Sequence, residues 1–179
     1  MLWLAVLLGF LVLLAVGGWL SWTASRLDRM HHRIDLARAS LAAQLLRRSG
    51  AAVELATAGV LDPARSLLLV DSAHQARAAS PEDFEAAESD LSKALRAVFE
   101  EPDEAHALMR RPGVGELCRE LAADCRKVAL ARRFHNDVVV SARVLRSRRR
   151  VRWLGLAGRA AELRTVDLDD EPPAALVED

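Results

Sequence analysis

Leu2 to Trp22 carries no charged residue. As an α-helix these 21 residues reach about 31 Å, close to the ~30 Å hydrocarbon core of a bilayer. Eight Leu, three Val and one Phe, at about −0.3 to −0.6 kcal/mol each, favour insertion by roughly 5 kcal/mol. Gly9, Gly17, Gly18 and Ser21 offset part of that gain. Trp3 marks one end of the run and Trp19 and Trp22 the other, as interfacial indoles do. A cleaved signal peptide fits worse. Nothing basic precedes the run, the run is too long, and Thr23-x-Ser25 is a poor cleavage site.

Flanking charge sets the orientation. Arg26, Arg29 and Arg33 follow the span and no Lys or Arg precedes it. The positive-inside rule then puts the short amino terminus outside and the bulk of the chain in the cytoplasm, as a single-pass protein of the cell membrane. Ala5-x-x-x-Gly9 and Gly17-x-x-x-Ser21 are small-xxx-small pairs through which two anchors would self-associate. Small residues are common in membrane helices, so the pattern is weak by itself.

The rest is enough for one domain with a real core. Apolar residues make up 51% of the chain, Tyr is absent and Phe occurs four times. Strands draw on β-branched and aromatic residues, so an Ala- and Leu-rich mixture favours helix. The reading is all-α: a single transmembrane anchor over residues 1–25, an antiparallel bundle of about four helices over 26–150, and a basic-to-acidic, largely disordered tail over 151–179.

The anchor runs on into the first bundle helix. Leu27, Met30, Ile34, Ala37, Leu41 and Leu45 recur at helical spacing, and the helix should end near Gly59. Asp62-Pro63 starts a second helix to about Ala79, apolar through Leu67, Leu68 and Val70. Ser80-Pro81-Glu82-Asp83 starts a third, with Ser80 as cap and Pro81 at the first position. Its stripe is Phe84, Ala87, Leu91, Leu95 and Val98, and Glu101-Pro102 stops it. Asp103 to Met109 forms a short piece, and Pro112-Gly113 turns. The longest bundle helix runs from Val114 to about Arg150. Its seam reads Val114, Cys118, Leu121, Cys125, Val128, Ala131, His135, Val138, Ala142 and Leu145, mostly alternating fours and threes as in coiled-coil packing. Beyond it periodicity stops, and Glu171-Pro172-Pro173 predicts an unstructured end.

Ala131-Arg132-Arg133-Phe134-His135-Asn136-Asp137-x-Val139 is similar to the A-R-R-x-Y-N-x-x-V signature in the last helix of the bacterial LemA family. Ala87-Glu88-Ser89-Asp90-Leu91-Ser92-x-Ala94-Leu95 resembles that family's A-E-N-x-L-x-x-A-L stretch, and Glu120-Leu121 sits where it has an L-x-x-E-L segment. The resemblance covers about residues 1–145. It implies a membrane-anchored helical bundle and names no biochemical activity. His135 stands where the family usually has Tyr, and the family's F-P turn and G-F-x-x-x-x-x-F-E ending are missing.

The net charge is zero but segregated. Seven Arg and no acid lie between Arg143 and Arg159, and seven acids with one base between Glu162 and Asp179. Arg146, Arg148, Arg149, Arg150 and Arg152, followed by Trp153, form the best candidate contact for a partner. Anionic lipid attracts such a segment at about 1 kcal/mol per charge. A protein partner is the alternative, nucleic acid ranks below both for want of a nucleic-acid module, and the acidic tail could absorb the same charge.

Other candidates are weaker. His31, His32 and Asp35 share one helical turn, but either His with Asp35 supplies only two ligands where a metal site needs three or four. Cys118, Cys125 and His135 share a stripe yet spread over about 25 Å of helix, which suits a core seam. Two unbridged cysteines at that spacing also fit a reducing compartment. Arg132, Arg133, His135, Asn136 and Asp137 form a polar layer suited to linking helices. No phosphate loop, nucleophile elbow or zinc-protease motif occurs, and no cofactor is called for. The sequence thus points to a non-enzymatic scaffold or recruitment module. The alternative is a membrane-bound hydrolase or metal-dependent enzyme that gathers His and acid side chains within the bundle.

Overall fold

The computed structural model describes residues 2–147 and 163–176, without some side chains near the start of α1 and the end of α5. Two compact units emerge, residues 1–36 with 138–164 and residues 37–137 with 165–179. The helices are α1 (Leu2–Thr57), α2 (Pro63–Ala78), α3 (Phe84–Val98), α4 (Pro102–Met109) and α5 (Val114–Ser147), with a 3-10 turn at Ala174–Leu176. No strand occurs among the described residues.

Local chemistry sets the boundaries. α1 stops at Thr57, and Gly59 beyond it turns the chain at φ +70°, a left-handed value that favours glycine. Asp62 caps α2 through its Oδ1, which accepts from the backbone N–H of Ala64 at 2.9 Å and Arg65 at 3.0 Å. Pro102 opens α4 at a first position, where its missing N–H costs nothing. α3 begins later than Ser80-Pro81 predicts. Ser80 does accept the Asp83 N–H at 3.2 Å, but residues 81–83 form a turn and regular helix starts at Phe84.

The main core lies in the second unit. Leu55 of α1, Leu69 of α2, Leu91 and Leu95 of α3, and Cys118 and Leu121 of α5 are each no more than 1% exposed. α2 contributes mainly small residues, Ala73 and Ala76, and Leu67 and Leu68 face solvent. This corrects the expected stripe. The run Leu67-Leu68-Leu69-Val70 has no phase of its own, so only Leu69 with Ala73 and Ala76 fixes the buried face. A smaller cluster joins Leu41 and Leu45 of α1, Val128 of α5 and Leu168 beyond α5.

Residues 163–176 differ most from expectation. The sequence predicts a disordered tail, yet Leu168, Pro173, Ala175 and Leu176 are buried, and Ala175 and Leu176 join the main core. Residues 151–162 of that tail lie outside the described residues.

In the first unit, the opening of α1 exposes apolar side chains on every side, from 43% at Trp19 to 87% at Trp3, with Val6, Leu7 and Leu8 consecutive. Among the described residues no helix is long and apolar enough to cross a membrane. Leu2, Leu4, Ala5, Val12, Leu20 and Trp22, which complete the uncharged run, have side chains outside the described residues. The anchor expected over residues 1–25 therefore rests on the sequence.

Two glycines give opposite expectations. A Cβ on Gly115 would run into the backbone carbonyl of Met109, so α4 and α5 meet there only because the side chain is absent. Gly50, inside α1, has open space where a Cβ would stand. Gly115→Ala should cost about 1–3 kcal/mol. Gly50→Ala should gain up to about 1 kcal/mol from helix propensity. Urea unfolding of the full chain in detergent reads both, and a shift of the same sign in both variants would contradict this packing.

Candidate functional site

The apolar stripe of α1 carries an intruder. Leu41, Leu45, Ala52 and Leu55 set the buried register, and Arg48 falls in it at 1% exposure. A charge there must find partners, because an unpaired buried charge is costly. α3 supplies them from one turn. Arg48 donates to Glu88 Oε2 at 2.6 Å, to the Glu88 carbonyl at 3.0 Å and to Ser92 Oγ at 2.8 Å. Glu88 is 3% and Ser92 1% exposed, so the whole group is dry. Arg48 Nε has no hydrogen-bond partner among the described residues.

Ser92 carries the network outward. Its hydroxyl donates to the Asp169 carbonyl at 2.6 Å, and Asp169 N–H donates to Ser89 Oγ at 3.0 Å. Arg96, one turn after Ser92, forks the Asp169 carboxylate, with NH1 to Oδ1 at 3.0 Å and NH2 to Oδ2, and also donates to the Glu171 carbonyl at 2.9 Å. From α5, Arg132 forks Asp170 through Nε at 2.7 Å and NH2 at 3.0 Å. Asn136 holds both backbone groups of Val166, donating to its carbonyl and accepting from its N–H, each at 2.9 Å. Side chains of α3 and α5 thus seat the segment after residue 164 in a groove, with Leu168 in the smaller apolar cluster.

The predicted polar layer divides. Arg132 and Asn136, four apart on one face, both hold this segment. Arg133 and Asp137 are exposed, and His135 is buried at 3%. Among the Arg-cluster candidates, Arg148, Arg149, Arg150, Arg152 and Trp153 lie outside the described residues, as does the side chain of Arg146. Two of the tail acids that could have absorbed that cluster, Asp169 and Asp170, are engaged by Arg96 and Arg132.

Sequence reasoning missed Arg48, Ser89, Ser92 and Arg96 as a group. For Arg48 the signal was present, as a charge three residues after Leu45 and four before Ala52 in an apolar stripe. For the others the partner segment had no periodicity to announce it.

Chemistry elsewhere is quiet. Burial pushes the Cys125 thiol up to about 11 and raises that of Cys118, so both are protonated at neutral pH and poor nucleophiles. Among the described residues no three metal-ligating side chains gather, and His32 and Asp35 are exposed. No family model, curated protein or solved structure matches the chain.

The hydrogen bond from Arg96 holds the Asp169 carboxyl below the ordinary carboxylate range. A depressed value in the folded state stabilises above the unfolded value, about 3.9 for Asp, and that contribution is lost as pH falls through the folded value. Asp169→Asn should therefore lower the urea midpoint at pH 7, and the gap to the native chain should close as pH drops from about 4 toward 2. A gap of equal size at every pH would contradict the pairing.

Proposed function

We propose that this chain is a non-enzymatic, LemA-like scaffold or recruitment module, tethered to the cell membrane by one helix at its amino terminus, with the bundle on the cytoplasmic face. The observation that carries the reading is the exposed apolar opening of α1, where Val6, Leu7, Leu8, Phe10, Leu11 and Val16 cover all sides of the helix. A helix that is apolar all round is stable when surrounded by lipid or protein, not by water. The uncharged run Leu2–Trp22 and the arginines after it support a spanning helix with its carboxy-terminal end inside.

The polar groups of the bundle support a structural role. Arg48, Glu88, Ser92, Arg96, Arg132 and Asn136 are all engaged in holding the chain to itself. The basic stretch at Arg146, Arg148, Arg149, Arg150 and Arg152, with Trp153, is the proposed contact for a partner or for anionic lipid. The likeness to LemA proteins in residues 87–95 and 131–139 supports the architecture and adds no reaction.

Two measurements test this. Alkaline carbonate washing should leave the native chain in the membrane, and Leu7→Arg/Leu11→Arg should release most of it, since each Arg costs about 2.5–3.5 kcal/mol within a span. In-membrane crosslinking with mass spectrometry should capture a discrete protein on the native chain and lose it when Arg146, Arg148, Arg149 and Arg150 become Glu. Carbonate release of the native chain removes the anchor. Lipid and self-crosslinks alone, alike in both chains, remove recruitment through the basic stretch.

A further inference from the structure

The seated segment shows what the groove of α3 and α5 can read. Four of the hydrogen bonds to residues 165–170 go to backbone. Asn136 takes both groups of Val166, Ser89 takes the Asp169 N–H, and Ser92 takes the Asp169 carbonyl. Any sequence in that conformation satisfies these four. Side-chain choice comes from three other features. Leu168 fills an apolar notch with Leu41, Leu45 and Val128, Arg96 forks the next carboxylate, and Arg132 forks the one after. Backbone bonds for affinity and a few pockets for choice is how folded modules bind short segments of other chains.

One observation marks the occupant as exchangeable. The ion pairs stay open to solvent, with side chains 30% and 30% exposed at Arg96 and Asp169, and 20% and 14% at Arg132 and Asp170. Such partly exposed pairs are more open to screening than a dry pair and weaken in salt.

We propose that this groove is a recognition site for a short acidic segment of a partner protein, a leucine-like residue followed directly by two carboxylates, and that the chain's own residues 165–170 occupy it until such a segment displaces them. Charge complementarity commits the occupant: two guanidinium groups face adjacent acids across an apolar notch. Every residue of the groove belongs to one unit, residues 37–137 with 165–179, so the inference stands apart from the anchor.

The test uses the full chain in detergent micelles and a fluorescent peptide with the sequence of residues 163–172. Asp169→Lys/Asp170→Lys turns the chain's own segment against Arg96 and Arg132. Peptide anisotropy should then show binding at least ten-fold tighter than to the native chain. Adding Arg96→Glu/Arg132→Glu should abolish it, as should a peptide carrying Lys at both acids. Equal binding to native and tail-reversed chains, no binding to a folded tail-reversed chain, or binding indifferent to the groove reversal each overturns the proposal. Hydrogen exchange on the native chain decides the matter should the tail-reversed chain fail to fold. The amides of Val166 and Asp169 should exchange faster than that of Leu121, and faster still in salt. If they exchange only with global unfolding, the groove cannot be vacated and the proposal falls.

Discussion

A guanidinium shut away from water must be met by acceptors within its own reach, and much of the second unit is arranged around that demand. Arg48 lies on the buried face of α1, so α3 must approach with Glu88 and Ser92 in register. A one-residue rotation of either helix would leave a charge alone in the core. Apolar packing tolerates such shifts more readily, because dispersion has no direction. The ion pair therefore adds little net stability and much specificity of register.

The same turn of α3 does a second job. Ser92 accepts from Arg48 and donates its own proton to the Asp169 carbonyl, so the dry network and the tail segment share one hydroxyl. Arg96 and Arg132 then engage the tail's adjacent acids, and Leu168 and Leu176 join the two apolar clusters of the unit. An acidic ending thus closes a basic groove within one domain. The opening of α1 is the reverse case, with apolar surface and no described protein over it.

The helices were largely legible, and the reasons are local. Asp62 acts through the amides of Ala64 and Arg65, Pro102 through its fixed φ and missing N–H, and Gly59 through its own φ, so a single sequence displays them. The α5 seam was legible through Cys118, Leu121, Cys125, Val128 and His135, although burial centres on Val139 where Val138 was expected. The face of α2 was not, because four consecutive apolar residues fit any rotation. The tail was not, because its order comes from partners some 30 to 80 residues away and its own stretch has no period. Within the site, Arg132 and Asn136 stood out as a polar pair on one face, but nothing in the sequence said that they faced Asp170 and Val166. Arg48 was readable as an anomaly in a stripe, and its partners at Glu88 and Ser92 were not.

The most direct test of this account is a double-mutant cycle on the buried pair. Arg48→Met, Glu88→Leu and the double variant would be unfolded in urea beside the native chain. Each single change strands one buried charge and should cost about 3–5 kcal/mol. The double change strands none, so it should be more stable than either single variant. Losses that simply add would contradict the claim that α1 and α3 are registered by this interaction.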